Sequence, residues 1–410
     1  RNLELIAPNH EHGVPLLQVL DVTQSPMGAR LMKKWTLLPL LNAHHIAERH
    51  EAVDFFIQNP EIAGEALEKI KLIGDLERLM SKVAVSKITP REFQQLGRAL
   101  DALAQIKHAL AQNPAARAVP LLQRLADGIN PCPTLRERLE SVIHAEAPND
   151  IRKGGVIADG VHPELDALRR LTANSREVLL EIQQREIAAT GIPNLKIGFN
   201  NVFGYYLEVN NKHKHLAPDE WIRKQTIANG ERYITQELKD LESRILGAEE
   251  KMLEIEARVY ADLIEDAAAY IQPVQHSAHM IAQADCLIAF ARNAERYGYC
   301  RPVIDESLIV DIREGRHPVI ERQLSPGDAY VPNDVYLDSD TVQVMMITGP
   351  NMAGKSALLR QTALIVLMAQ MGSFVPAKSA RIGLIDKVFT RVGASDNISA
   401  GESTFMVEMN

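Results

Sequence analysis

At 410 residues, 46% hydrophobic and 24% charged, the chain is longer than one hydrophobic core usually serves and reads as roughly two to four domains. A net charge of −8 excludes a uniformly basic nucleic-acid binder but leaves room for a local basic patch. Three cysteines far apart in sequence, Cys132, Cys286 and Cys300, exclude a disulfide framework and a cysteine metal site by spacing, and fit a reducing compartment.

Residues 1–165 are mainly helical by pattern. Within them Thr89-Pro90-Arg91-Glu92 is a capping box with proline at the first helical position. Phe93, Leu96, Leu100, Leu103, Ile106 and Leu110 follow on one face, the mark of bundle core. Residues 166–264 read as a long helical arm. Leu165, Leu168, Leu171, Leu179 and Ile182 pattern a helix from Glu164 to about Ala189. Leu238, Leu241, Ile245, Ala248, Met252, Ile255 and Val259 pattern a second from Thr235 onward. Between them Leu195 to Phe199 and Val202 to Val209 alternate like two strands around Asn200-Asn201. Two helical limbs flanking a β-containing tip predict an antiparallel arm, each limb about 40 Å long at 1.5 Å per residue.

The tip, residues 195–234, holds Lys196, Lys212, Lys214, Arg223, Lys224 and Arg232 against four acids, a net +2 in an acidic chain. Tyr205, Tyr206 and Trp221 sit among them. Cations at the end of an arm suit contact with the phosphates of an extended polymer, and Lys212, Lys214, Arg223 and Lys224 are the candidates. His44, His45 and His50, and the His213 and His215 pair, lack cysteine or acidic partners at a metal-binding spacing, so they read as surface or core histidines. Residues 265–300 return to helix.

From 301 to 410 proline, glycine and β-branched residues increase, with strands expected at Ser307 to Ile312, Val342 to Ile347 and Lys387 to Val392. Gly349-Pro350-Asn351-Met352-Ala353-Gly354-Lys355-Ser356 fits G-x-x-x-x-G-K-[ST], a pattern that arises by chance about once in a hundred chains this long. An apolar run precedes it and a helical run, Ala357 to Met371, follows. Strand, glycine loop and helix is the arrangement in which backbone N–H groups cradle phosphate, Lys355 reaches the β/γ-phosphates and the Ser356 hydroxyl meets Mg²⁺. ATP or ADP with Mg²⁺ is the expected cofactor. The fold class is mainly α and multidomain: a helical bundle, a long antiparallel arm with a small β-containing tip, then an incomplete α/β P-loop domain. No run reaches the roughly 20 apolar residues of a membrane span, so no membrane contact and a cytoplasmic location are expected. The chain opens without methionine, and Ser403 to Asn410 read as the first turns of a helix with Ser403 as N-cap, as in an internal segment of a longer protein.

These residues resemble the DNA mismatch-repair MutS family. The matching runs are Thr348 to Ser356, Arg360-Gln361-Thr362-Ala363, Gly372 to Ala377, Thr390 to Asp396 and Gly401 to Met409. Gly315-Arg316-His317-Pro318-Val319 resembles the family's entry to its ATPase domain, and Gly204-Tyr205-Tyr206 with His215-Leu216-Ala217-Pro218 its clamp. The resemblance implies a helical lever (1–165 and 265–300), an arm (166–264) whose clamp (about 195–234) grips the backbone of double-stranded, mismatched DNA, and the first part of an ABC-type ATPase (301–410) that works as a homodimer and calls a MutL-type partner. It implies that Tyr330 stacks on adenine, that Gly349, Pro350, Asn351, Met352, Ala353, Gly354, Lys355 and Ser356 hold phosphate and Mg²⁺, and that Ser403 completes the partner subunit's site. A nucleoid-associated bacterial protein is the expectation, with DNA-dependent ATPase activity in the parent. Ala357 and Ala353 depart from the family's usual threonine and glycine. The acidic pair and catalytic histidine would follow Asn410, and the mismatch-reading domain would precede Arg1, so no catalytic residue is assigned and this chain alone is not expected to hydrolyse ATP. Two rival readings are a MutS-like paralogue that starts at the lever and a coiled-coil chromosome-maintenance ATPase. In the second the phosphate loop precedes the coil; here it follows.

Overall fold

Proline marks where many of the helices start. It is the first residue of α2 (Pro26–Leu37), α4 (Pro60–Ile73), α6 (Pro90–Gln112), α7 (Pro114–Arg117), α8 (Pro120–Gly128), α9 (Pro133–Val142) and α10 (Pro163–Thr190). Its fixed φ suits the first turn, and its missing N–H is one the helix could not pair anyway. The others are α1 (Leu16–Leu20), α3 (Ala43–Gln58), α5 (Leu76–Ala84), α11 (Gln236–Ala268), α12 (Ile271–Tyr297) and α13 (Lys355–Met371). The computed structural model describes residues 3–8, 13–200, 202–325, 328–350 and 354–390. It divides into two units: Arg1–Ser81 with Arg98–Pro133 and Tyr270–Asn410, and Lys82–Gly97 with Thr134–Ala269.

In the first unit α12 is the central strut, packed by α2, α3, α4 and α8. Fifteen of its residues are buried, including polar Ser277, Asp285 and Asn293, each tied to backbone of another segment. The same unit carries a four-stranded sheet ordered β5 (Val303–Asp305), β8 (Ser379–Gly383), β6 (Val310–Gly315), β7 (Asn333–Leu337). Only β5 and β8 run parallel. Helix α13 packs on β6, α2 and α3. Its last carbonyls, which the helix itself cannot pair, are taken from outside. Arg49 donates to Met371 O at 2.6 Å, His50 Nε2 bonds Ala369 O at 3.1 Å, and Leu40 N donates to Gln370 O at 3.0 Å. Burial pushes the His50 pKa down to about 4, so the ring is neutral near pH 7, as a buried partner of a carbonyl should be.

The expected strand at Val342 to Ile347 does not form. Among the described residues this stretch pairs with no strand, and Val344 and Met346 are 82% and 86% exposed. An apolar β-branched run becomes a strand only where a neighbouring strand takes its N–H and C=O groups; here Asp338 bonds both groups of Val342, and among the described residues no strand pairs with the run. At Ser307 to Ile312 the strand starts later, at Val310. Residues 387–390 carry no strand, and 391–392 lie outside the described residues.

The second unit pairs α10 with α11. Lys251 lies 3.5 Å from Glu164, and Arg185 pairs with Glu237, so the start of α10 lies along the middle of α11 and its end by the start of α11. That is the antiparallel arm. Its apolar stripe on α11 is buried except for half-buried Met252, whereas Leu171 on α10 is 37% exposed: two helices alone cannot enclose every position of both stripes. At the end of the pair lies a sheet ordered β1 (Lys196–Asn200), β2 (Gly204–Asn210), β4 (Gly230–Ile234), β3 (Ile222–Ile227), antiparallel throughout. Leu195, Leu207, Val209, Trp221 and Tyr233 from this module form one core with Ile182 of α10 and Leu238, Leu241 and Ile245 of α11. The first hairpin was expected; β3 and β4 were missed, though Asn229-Gly230, where the turn enters β4, is a strong turn signal. Among the described residues no helix is long and apolar enough to cross a membrane.

Candidate nucleotide site

Helix α13 begins directly behind the glycine loop, and Gly354 caps it with φ 85. A Cβ there would meet nothing within 4 Å, so glycine is demanded by the left-handed backbone and not by crowding. Lys355 turns back over the loop and donates to the carbonyls of Gly349 and, at 3.0 Å, Pro350. An ammonium therefore lies at the positive end of a helix whose first N–H groups have no intrahelical acceptor, which together attract an anion. Ser356 is the next residue and is exposed.

An open cleft of about 650 Å³ spans this point, lined by Ile320, Tyr330, Asn333, Thr348, Gly354 and Lys355. It thus brings the predicted aromatic and the predicted lysine to one place. Tyr330 is held from behind, its hydroxyl donating to Gln361 Oε1 at 2.8 Å. Burial and the nearby Glu321 raise its pKa, so the phenol stays a donor. His317 braces Ile320 of the lining: its Nδ1 accepts from the backbone N of Val319 and of Ile320 at 3.3 and 3.2 Å. Burial, then Arg360, push its pKa down to about 4, which keeps that nitrogen free to accept at neutral pH. A flat ring at one end and a cation with helix N–H groups at the other match a nucleoside phosphate. For Mg²⁺ the described residues offer the Ser356 hydroxyl, adequate for an ion that keeps waters and takes phosphate oxygens. Asn351, Met352, Ala353 and Ser403 lie outside the described residues. A second cavity of about 580 Å³, between α13 and β6–β7, is walled by Val310, Leu337, Val366 and Val388, with Arg360, Thr362 and Lys387 also on its lining, but neither the glycine loop nor Tyr330 reaches it.

The tip cations sit on the other unit. Lys212 and Lys214 are exposed on the connection after β2, and Arg223 and Lys224 are both exposed on edge strand β3. Adjacent strand residues normally face opposite ways; here the register slips between Arg223 and Gln225, so a bulge lets two cations face solvent together. Glu231 links the groups. The Tyr233 hydroxyl, then Arg223 and Lys214, hold its carboxyl below the usual range, and Arg223 lies 3.5 Å away. Arg232 is spent inside the sheet, stacked on Tyr206 and bonded to Gln225 and Glu208. Among the described residues no three His, Cys, Asp or Glu side chains group to hold a metal.

With this geometry in place, comparison with known proteins gives two family matches: MutS domain III over residues 1–291 and MutS domain V over residues 345–410. The chain belongs to the MutS family. It is 55% identical over 412 residues to the DNA mismatch repair protein MutS of Phocaeicola vulgatus, 56% over 411 to that of Christiangramia forsetii and 54% over 410 to that of Bacteroides fragilis. Each comparison covers 100% of this chain and 47% of the relative, so the chain spans about half the length of the curated relatives it matches. The domain III match covers the arm, its tip and most of the bundle; the domain V match starts just ahead of the glycine loop. The MutS resemblance supplied Tyr330, but sequence reasoning missed Gln361 and gave His317 no role. Gln361 stands in a quoted family run, and nothing in its spacing announces a buried amide facing a tyrosine.

Proposed function

We propose that the protein acts in DNA mismatch repair as an ATP-switched clamp, and that this chain supplies the grip on DNA backbone and part of the ATP-binding site. The observation that carries the reading is the cleft in which Tyr330 faces Lys355 at the start of α13. Tyr330 takes the base, Lys355 the phosphates, and Gly349, Pro350 and Gly354 set the loop. Asn351, Met352 and Ala353 complete that loop, Ser356 meets Mg²⁺, and Ser403 serves the site of a second subunit. Bound Mg²⁺ would neutralise phosphate charge. The domain reading is lever (1–165 and 265–300), arm with clamp (166–264, tip about 195–234) and ATPase portion (301–410). Mismatched duplex DNA is the partner, a second copy and a MutL-type protein the further ones, with ATP hydrolysis stimulated by DNA and a place on the bacterial chromosome.

At the tip, Lys212, Lys214, Arg223 and Lys224 touch phosphates without reading bases. Replacing all four with glutamine in the full-length protein is expected to weaken duplex binding at low salt. It should also flatten the plot of log affinity against log salt between 50 and 200 mM by up to about 3.6, since each of the four phosphate contacts contributes about 0.9 to that slope. A slope equal to that of the unaltered protein would place the DNA elsewhere.

A further inference from the structure

The base end of the cleft contains a device that the nucleotide reading does not require. Tyr330 stands on an irregular segment just before β7, where no ladder of backbone bonds fixes a ring. Gln361 comes from α13, six positions after Lys355, or about 9 Å along the axis at 1.5 Å per residue. Its side chain is fully buried, and its Oε1 accepts the Tyr330 hydroxyl at 2.8 Å. Its Nε2 is buried with no partner. An amide that leaves a donor unpaired is costly in a core, where a leucine would fill the same space without that loss. The bond to Tyr330 is the one side-chain hydrogen bond this amide makes among the described residues. Strand β6 supports the arrangement: a Cβ on Gly315 would lie 2.8 Å from Gln361 Nε2, so the glycine leaves the amide room to lie behind the ring.

We propose that Gln361 is a positioning residue that sets the plane of the Tyr330 ring for an adenine base, tying the base end of the cleft to the same helix that presents Lys355 to the phosphates. The inference rests on the nucleotide reading above. A ring already held in its binding orientation loses less freedom when a base stacks on it. The hydroxyl, and not only the aromatic face, thereby becomes part of nucleotide affinity. Tyr330→Phe keeps the face and removes the tie. Gln361→Met keeps the volume and removes the acceptor. Gly315→Ala pushes on the amide from the far side.

The test is equilibrium binding of ATP and, separately, of inorganic tripolyphosphate, which has no base, to the full-length protein. Tyr330→Phe and Gln361→Met are each expected to weaken ATP about tenfold, with the double variant no weaker than the poorer single, because both break one bond. Gly315→Ala should lower ATP affinity in the same direction. Tripolyphosphate affinity should stay within twofold in every variant, a readout that a general loss of structure would move. Unchanged ATP affinity in both singles overturns the proposal, as does a double variant near a hundredfold or a parallel fall in tripolyphosphate. Tyr330→Ala separates the layers. If it costs far more than Tyr330→Phe while Phe and Met cost nothing, the ring binds base and only the positioning role fails. If it too leaves ATP affinity untouched, the base-binding reading of Tyr330 fails with it.

Discussion

Lys355→Ala in the full-length protein is expected to lower ATP affinity at least about a hundredfold, measured by calorimetry with Mg²⁺ present. The Lys355 ammonium lies over the loop against the carbonyls of Gly349 and Pro350, at the mouth of α13. Hydrogen bonds to charged groups contribute about 1.5–3 kcal/mol each, and a lysine between the β- and γ-phosphates makes more than one, so about 3 kcal/mol is a modest expectation. The fold should survive: Lys355 is only partly buried, and its bonds are to its own loop. Lys355→Arg should rescue little, because a planar fork cannot take the place of a compact ammonium threaded through a narrow loop. DNA binding without nucleotide should be unchanged, since the tip cations belong to the other unit. Retention of ATP affinity within about threefold would remove the loop from the site.

Much of this architecture was legible because it is encoded locally. Thr89-Pro90-Arg91-Glu92 closes the capping box it spells: Glu92 Oε2 accepts from Thr89 N at 3.0 Å, and Thr89 Oγ1 accepts from Glu92 N at 3.4 Å. Thr235 caps α11 in the same way, accepting from Leu238 N. Phe93, Leu96, Leu100, Leu103, Ile106 and Leu110 are all at most 2% exposed, as a one-faced stripe requires. What escaped depends on distant partners. The bulge that turns both Arg223 and Lys224 outward is a property of how β3 pairs with β4, and neither strand announces it alone. Val342 to Ile347 has strand composition yet stays unpaired, because pairing is decided by the neighbour and not by the run. For the site, the glycine loop named Lys355 and Ser356 by spacing, while Tyr330 came by resemblance. Gln361 could not be read: its meaning lies in a contact 31 residues away in sequence.

Asp285→Ala is expected to destabilise the first unit by about 3 kcal/mol at neutral pH, more than any surface change in the chain. The carboxylate is fully buried in α12 and has no ion-pair partner among the described residues. Instead it accepts from the backbone N of Gln24 at 2.9 Å, from Ser25 N at 2.8 Å and from the Ser25 hydroxyl at 2.7 Å. Ser25 in turn caps α2 by accepting from Gly28 N. Removing the acid strands two N–H groups and loosens a cap in one step, the situation in which broken buried networks cost about 3–5 kcal/mol. Asp285→Asn should fall between, because its oxygen can still serve Ser25 while its amide confronts the Gln24 N–H. Burial raises the Asp285 pKa above 3.8 against the pull of those donors. The folded state therefore holds this proton more tightly than the unfolded chain. The stability the titration contributes is complete below about pH 4 and is lost as pH rises through the folded value. The gap between the unaltered protein and Asp285→Ala should accordingly be wider at pH 4 than at pH 7. Its two tryptophans make this measurable: Trp35 lies in α2, the helix that Ser25 caps, and Trp221 in the other unit. Urea titration of Trp35 fluorescence in a Trp221→Phe background follows the first unit alone. A midpoint unmoved by Asp285→Ala, or a gap that widens from pH 4 to pH 7, would show that α12 holds α2 by packing and not through this carboxylate.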